Sequence, residues 1–421
     1  MKDEATQQLE KSQSTHSIPI LQNQVDALLV IRAFACFMVL VSHCLSQRKL
    51  IVYKDVDLTW LIFSNGGVAV WIFFALSGYL MGKAFYTGRY QVNRSEIFKF
   101  WRNRALRIAP LYYFALIFLC LFVYPETLKL ENWAYLLRLL TFTYAQHIPV
   151  AFSGTFWSLS TEVQFYLCVP FLYVLLKSHL YNRRRIIFAA IAIIIAVFII
   201  KLVFILPISS LIKTNIFYAI KYWYSPMITN LDVFLIGFLV NPLLQLKSKP
   251  FQLPFQKQMA VSLIAVLYLF TAHHHYYQEF LYLQGGGIRT SMTLFILQPL
   301  TALVVAFFVY AFESPAGAYE STIRNRRLSF SAILENPWRS LEIFGNLSYG
   351  IYIWHLPLLA KAVAQVAVSE VPIEAFYSRL IAATLFSTVM ATITYYLVER
   401  PAIQWKSYRF SSLSEDQSCL K

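Results

Sequence analysis

The sequence predicts an all-α membrane protein, a bundle of about ten transmembrane helices with both termini in the cytoplasm. Three observations carry that prediction. The 421-residue chain is 58% hydrophobic and only 14% charged, far too apolar for a soluble globule. Its apolar runs repeatedly approach the roughly 20 residues needed to cross a bilayer. The net charge of +15 falls in short loops between those runs, where basic residues act as topology determinants and headgroup contacts. No block offers the continuous basic face of a nucleic-acid binder, so that class is excluded.

In chain order, residues 1–25 are polar and rich in Gln and Ser, which predicts a disordered cytoplasmic tail. They lack the basic start and cleavage site of a signal peptide, so the first span is expected to be retained. A membrane domain follows over 26–402, with spans at about 26–46, 67–86, 108–124, 160–177, 186–206, 229–245, 258–274, 291–312, 342–365 and 378–398. The segment Trp133 to Tyr144 is too short to span and is placed at the interface. Residues 403–421 are expected to form a short cytoplasmic tail. The stretch from Glu313 to Leu341 is the only place for a small cytoplasmic subdomain. With the N-terminus inside, the inner loops hold Arg89, Arg94, Lys99, Arg102, Arg104, Arg107, Arg183, Arg184, Arg185, Lys247, Lys249, Lys257, Arg324, Arg326, Arg327 and Arg339. The outer loops hold Arg48, Lys49, Lys54, Lys129, Arg138, Lys213, Lys221 and Arg289. That roughly two-to-one bias sets the orientation and predicts a multi-pass protein of the inner (cytoplasmic) membrane.

The polar residues inside the spans carry the chemistry. Arg32 and His43 share one face of the first span, about 16 Å apart along its axis. Charged groups in a bilayer are costly and mark functional paths. Cys36, Cys44, Cys120, Cys168 and Cys419 show no metal-ligand spacing, and four sit in spans as small hydrophobes. Cys44 diverges from His43 by about 100° and does not share its cavity. His273, His274 and His275 splay apart rather than converge on a metal, and Gly285 to Gly287 form a flexible outer turn; no metal is expected.

Three further features stand out. Lys99, Arg102, Arg104 and Arg107 precede the third span, where the helix dipole also favours anions. They are either a positive-inside anchor or a phosphate clamp for a cytosolic donor. Trp157, Ser158, Ser160, Thr161 and Glu162 open the fourth span. Glu162 is either an ordinary first-turn acid or, at His43's depth in the outer half, the carboxylate that raises that imidazole's basicity. Ser348, Tyr352 and His355 fall at i, i+4 and i+7 on one face, serving interhelical hydrogen bonding or substrate contact.

These residues with their neighbours resemble the acyltransferase-3 family of membrane-bound O-acyltransferases, which includes O-antigen and exopolysaccharide O-acetylases. Arg32-x10-His43 is similar to the family's first-span signature. Gly67-Val68 with Phe73-Phe74-Ala75-Leu76-Ser77-Gly78-Tyr79-Leu80 resembles its second span, and Arg104-x-x-Arg107 its RxxR pair. Phe156-Trp157-Ser158-Leu159-Ser160 with Glu162, Gln164, Phe165 and Tyr166 resembles FWSLSxExQFY. Ser348-Tyr349 with Tyr352, Trp354-His355 and Pro357 resembles SYxxYxWHxPL, and Glu399-Arg400-Pro401 the closing ErP. Six motifs in register run from residue 32 to 401. The departures are Leu29, where an acid is common, and apolar Val70 and Trp71 at a polar position.

The resemblance implies acyl transfer from acyl-CoA, most simply acetyl-CoA, a donor substrate rather than a bound cofactor, onto a hydroxyl of a glycan or lipid-linked sugar such as O-antigen or exopolysaccharide. It assigns His43, Glu162 and Arg32 to catalysis, with His43 as general base, Glu162 its support, and Arg32 either an oxyanion donor or a donor-binding group. Arg104, Arg107 and Lys99 are assigned to acyl-CoA binding, and Trp157, Ser158, Ser348, Tyr352 and His355 to substrate contact. Some relatives carry a C-terminal hydrolase-like domain, so a separate periplasmic transferase is an expected partner. A proton-coupled transporter of a small or lipid-linked substrate, or an assembly subunit of the glycan machinery, would also bury Arg, His and Glu. Neither would consume acyl-CoA.

Overall fold

The computed structural model describes residues 26–44, 49–62, 64–143, 152, 154–208, 220–246, 254–282, 293–313, 333–334, 336–366, 369 and 371–405. The expected tail 1–25, residues 406–421 with Cys419, the Gly285–Gly287 turn and residues 314–332 of the expected subdomain lie outside the described residues. So do the loop cations Arg48, Lys213, Lys247, Lys249, Arg289, Arg324, Arg326 and Arg327, and the side chain of His275.

The apolar runs form long helices, several begun by a polar cap. Helix α1 covers Ala27–Cys44, with the Asp26 carboxylate accepting from the amides of Leu28 (2.9 Å) and Leu29 (3.2 Å). Burial pushes that carboxyl above its usual range. Helix α2, Gly66–Tyr86, starts at Asn65, whose side chain accepts from Gly67 N and Val68 N. Asn93 caps α3, Arg94–Phe118, in the same way, and the helix continues as a wider turn over Leu119–Val123. The short α4, Trp133–Leu140, follows, and then come α5 over Phe156–Lys177, α6 over Arg183–Ile205 and α7 over Leu231–Gln245. The set closes with α8 (Phe255–Tyr282), α9 (Gln298–Phe312), α10 (Arg339–Leu358) and α11 (Pro372–Thr394). A two-residue hairpin pairs β1, Val52–Tyr53, with β2, Val56–Asp57. Its turn residues Lys54 and Asp55 take φ of 47° and 65°, the positive values that tight hairpins demand.

Nine helical stretches among the described residues are long and apolar enough to cross a membrane, and the chain is an all-α, multi-pass membrane protein. The expected ninth span is present as α10 but falls outside that set, because Glu342, Asn346, Ser348, Tyr349, Tyr352 and His355 dilute its apolar character. It packs between α1 and α11, with Gly345, Leu347, Ser348 and Gly350 through Pro357 buried. Most of its side chains therefore meet protein rather than lipid, and the polar groups are tolerated. The third span also starts fourteen residues earlier than 108. Its first turns are basic and lie outside any apolar run, yet the Asn93 cap sets the helix there.

Contacts fix the directions. Arg32 meets Ser348 and His43 meets His355, so α1 and α10 run parallel. Gly66 packs on Ser42, so α2 returns antiparallel to α1. The centre is the α2–α7 crossing. A Cβ on Gly78 would sit 1.9 Å from Phe234 O, and one on Gly237 2.0 Å from Ala75 O. Only two reciprocal glycines let these backbones touch, as small residues do at membrane helix crossings. Phe74 and Phe165 then stack on Phe234 at centroid distances of 4.5 and 4.3 Å, joining α2, α5 and α7 into one rigid wall behind the polar interior.

Candidate active site

Helices α1, α2, α3, α5 and α10 line a partly open cavity of about 850 Å³, a figure that includes the solvent space at its mouth. Its polar lining is Arg32, Ser77, Arg104, Arg107, Ser158, Glu162, Tyr166, Ser348, Tyr349 and Tyr352. Arg104 and Arg107, three residues apart on α3, both face it. The Nε of Arg104 is buried and has no hydrogen-bond partner among the described residues. Arg32 donates to Ser348 Oγ from Nη2 (3.1 Å) and Nε (3.4 Å), and Ser348 Oγ in turn donates to Gly345 O (2.7 Å). Glu162 accepts from Ser77 Oγ and from Tyr166 Oη. Three guanidiniums thus face one lining carboxylate, a chamber with surplus positive charge suited to an anion.

The structure separates residues expected to act together. Glu162 does not reach His43. The helix begins at Phe156 rather than 160, so Glu162 lies nearly two turns inside, among the arginines of the chamber and within electrostatic range of Arg32. His43 instead meets His355, with Nδ1 to Nε2 at 3.1 Å and ring centroids 5.0 Å apart. The second nitrogen of His355 lies 2.7 Å from Tyr352 O. A carbonyl only accepts, so His355 carries its proton on Nδ1 and accepts through Nε2. His43 must then donate from Nδ1, which leaves its Nε2 lone pair free. That is the tautomer of a general base. His355 is 1% exposed, whereas His43 is exposed.

Nor do Arg32 and His43 line a single chamber. Between them Ser158 Oγ and Tyr352 Oη share a 2.7 Å hydrogen bond. Arg32 opens on the cavity beneath that bond and the histidine pair lies beyond it. Lys99, expected beside Arg104, lies outside the cavity against Glu96 (3.1 Å). Trp157 does not line it either, packing on Phe74 and Tyr224. Cys44 points into the apolar cluster of Val41, Val363, Phe376 and Ala383, away from the chamber, and His274 packs edge-on against Trp60.

Some participants went unassigned in the sequence. Ser77 and Tyr166 stand inside motifs whose neighbours drew the attention, and Glu399 in the closing motif is buried within electrostatic range of Arg107 and Arg32. The signal was present for all three, a polar side chain in an apolar run.

A family model described as an acyltransferase domain matches residues 25–399, nearly the whole membrane bundle. The chain belongs to this acyltransferase family. Among similar proteins, the O-acetyltransferase OatA of Staphylococcus aureus (strain MRSA252) is 23% identical over 97% of this chain and 61% of its own length. The peptidoglycan O-acetyltransferase OatA of Listeria monocytogenes is 25% identical over 83% of this chain and 53% of its own. The putative peptidoglycan O-acetyltransferase YrhL of Bacillus subtilis is 23% identical over 88% of this chain and 54% of its own. This acyltransferase chain therefore spans about half to three fifths of the length of the curated relatives it matches. No solved structure matches it.

Proposed function

We propose that the protein is a membrane O-acyltransferase that moves an acetyl group from acetyl-CoA to a hydroxyl of an envelope glycan. The observation that carries this reading is the pairing of an arginine-lined chamber with a histidine whose free nitrogen is set by its neighbour. Arg104, Arg107 and Arg32 suit the donor's phosphates, since guanidinium binds phosphate through paired hydrogen bonds. The basic helix starts at that end favour a cytoplasmic setting under the positive-inside rule, the side where acyl-CoA is made available. Lys99, half-buried and paired with Glu96, adds to the positive potential of the basic helix start at longer range.

The thioester reaches past Ser158 and Tyr352 toward the histidine pair. His43 Nε2 takes the proton of the acceptor hydroxyl, the oxygen attacks the thioester carbonyl, and the C–S bond breaks. The proton passes from His43 to the departing sulfur, so CoA leaves as the thiol and the imidazole is restored. Arg32, held by Ser348 on the donor side, serves binding rather than the oxyanion. Glu162 keeps the arginine cluster from repelling itself. The relatives named as peptidoglycan O-acetyltransferases favour a cell-wall or similar glycan as acceptor.

Mass spectrometry of envelope glycans from cells with the intact gene, a deletion and His43→Ala tests this. A mass difference of one acetyl should be lost in both altered strains. Purified protein should also transfer label from [14C]acetyl-CoA to glycan. Identical glycans in all three strains would sink the reading.

A further inference from the structure

The proposed reaction leaves one charge unattended. Attack on the thioester puts negative charge on its carbonyl oxygen, while Arg32 is held at the donor end by Ser348. A developing oxyanion is stabilised by a hydrogen-bond donor already in place. Such a donor has to line the cavity, lie between Arg32 and His43, and carry a proton that is easily redirected.

The hydroxyls lining the cavity differ in where their protons go. Ser77 and Tyr166 donate to the Glu162 carboxylate. Ser348 donates to Gly345 O at 2.7 Å, Tyr349 to Ile108 O at 2.7 Å and Ser158 to Thr155 O at 3.0 Å. Tyr352 is different. Ser158 has one proton and gives it to Thr155 O, so the tyrosine is the donor in the 2.7 Å contact between Tyr352 Oη and Ser158 Oγ. Its acceptor is a neutral hydroxyl, a weaker hold than a carboxylate. Ser158 also keeps its own donated bond when Tyr352 turns to another oxygen.

Position agrees with this. On α10 Tyr352 lies one turn from Ser348, the partner of Arg32, and one turn from His355, the partner of His43. Its ring is lodged against those of Phe73 and His355, at centroid distances of 6.3 and 5.7 Å.

We propose that the Tyr352 hydroxyl is the oxyanion donor, a catalytic residue that Ser158 keeps occupied until the thioester arrives. The inference rests on the acyltransferase reading and deepens it. As the acceptor oxygen bonds to the carbonyl carbon and His43 takes its proton, the C=O electron pair moves onto oxygen. Tyr352 then donates to that oxygen in place of Ser158. When the C–S bond breaks the pair returns, the carbonyl is restored and His43 protonates the sulfur. Tyr352 keeps its own proton throughout.

The test is transfer of label from [14C]acetyl-CoA to the glycan of membranes that hold the full chain, with kcat and KM for acetyl-CoA measured separately. Tyr352→Phe should lower kcat about 100- to 1,000-fold, the loss of one oxyanion donor, with KM unchanged. Ser158→Ala removes the same hydrogen bond yet frees the tyrosine to donate, and should raise kcat/KM about 2- to 10-fold. A contact that only ties α5 to α10 predicts matching losses in the two variants, and that result overturns the role. So does a kcat in Tyr352→Phe equal to that of the intact protein. If the melting temperature shows that Tyr352→Phe does not fold, Ser158→Ala decides alone, and any loss of kcat/KM overturns the role. Absence of transfer by the intact protein overturns the reaction itself, whereas intact transfer with matching losses overturns the tyrosine's part alone.

Discussion

The imidazole pair gives His43 a role that can be measured. Because the Tyr352 carbonyl holds the proton of His355 on Nδ1, the Nε2 of His355 accepts from His43, whose ring also meets the Val39 backbone. His355→Phe removes the first of these two anchors and loosens the orientation of the His43 ring. We expect kcat to fall roughly 100-fold, with half-saturation by acetyl-CoA unchanged because Arg104 and Arg107 are untouched. An equal loss in both parameters would assign His355 a structural role. His43 was legible in the sequence as a polar group in an apolar run. Its partner was not, since 312 residues separate the two histidines and no local pattern encodes a contact between distant helices. The same gap misplaced Glu162. Its depth was counted from residue 160, whereas four more residues of α5 precede that point, and only the fold brings Ser77 to it.

At the scale of elements, α6 and α7 are joined by a buried ion pair. Lys201 Nζ lies 3.2 Å from Asp232 Oδ2, with the side chains 2% and 1% exposed. Gln298 of α9 donates to the other carboxylate oxygen at 3.2 Å and to Thr229 O at 2.8 Å, so three helices meet at one point. Removing one charge leaves its partner buried and unpaired, which costs about 3–5 kcal/mol. Lys201→Met should lower the melting temperature in detergent sharply. The double variant Lys201→Met with Asp232→Leu should recover most of the loss. If the double variant melts no higher than the single one, the pair is not the stabilising contact. Long apolar runs made most helices legible, and Asn65, Asn93 and Asn182 set three starts by capping. Lys201 was passed over because one charge scarcely alters the hydropathy of the run around it. The early start of α3 was hidden because cap and basic turns are not apolar.

For the whole molecule, the basic starts of α3 and α6 and the start of α10 at Arg339 gather at one end, with Lys83 and Glu313 bonded there at 2.6 Å. We expect that end to face the cytoplasm. In intact cells a membrane-impermeant thiol reagent should label a cysteine placed at Lys129 and miss one placed at Arg184 until the cells are permeabilised. The reverse pattern would invert the proposed donor side. Loop charge made this orientation readable, because topology follows simple counting, whereas the shape of the interior depends on how ten helices pack.

The hydrogen bond between Ser158 and Tyr352 has a consequence for the order of events. In the proposed reaction it lies across the route from the arginine chamber to the histidine pair, so the acyl arm has to part that contact to arrive. Entry of the donor and opening of the route would then be a single step.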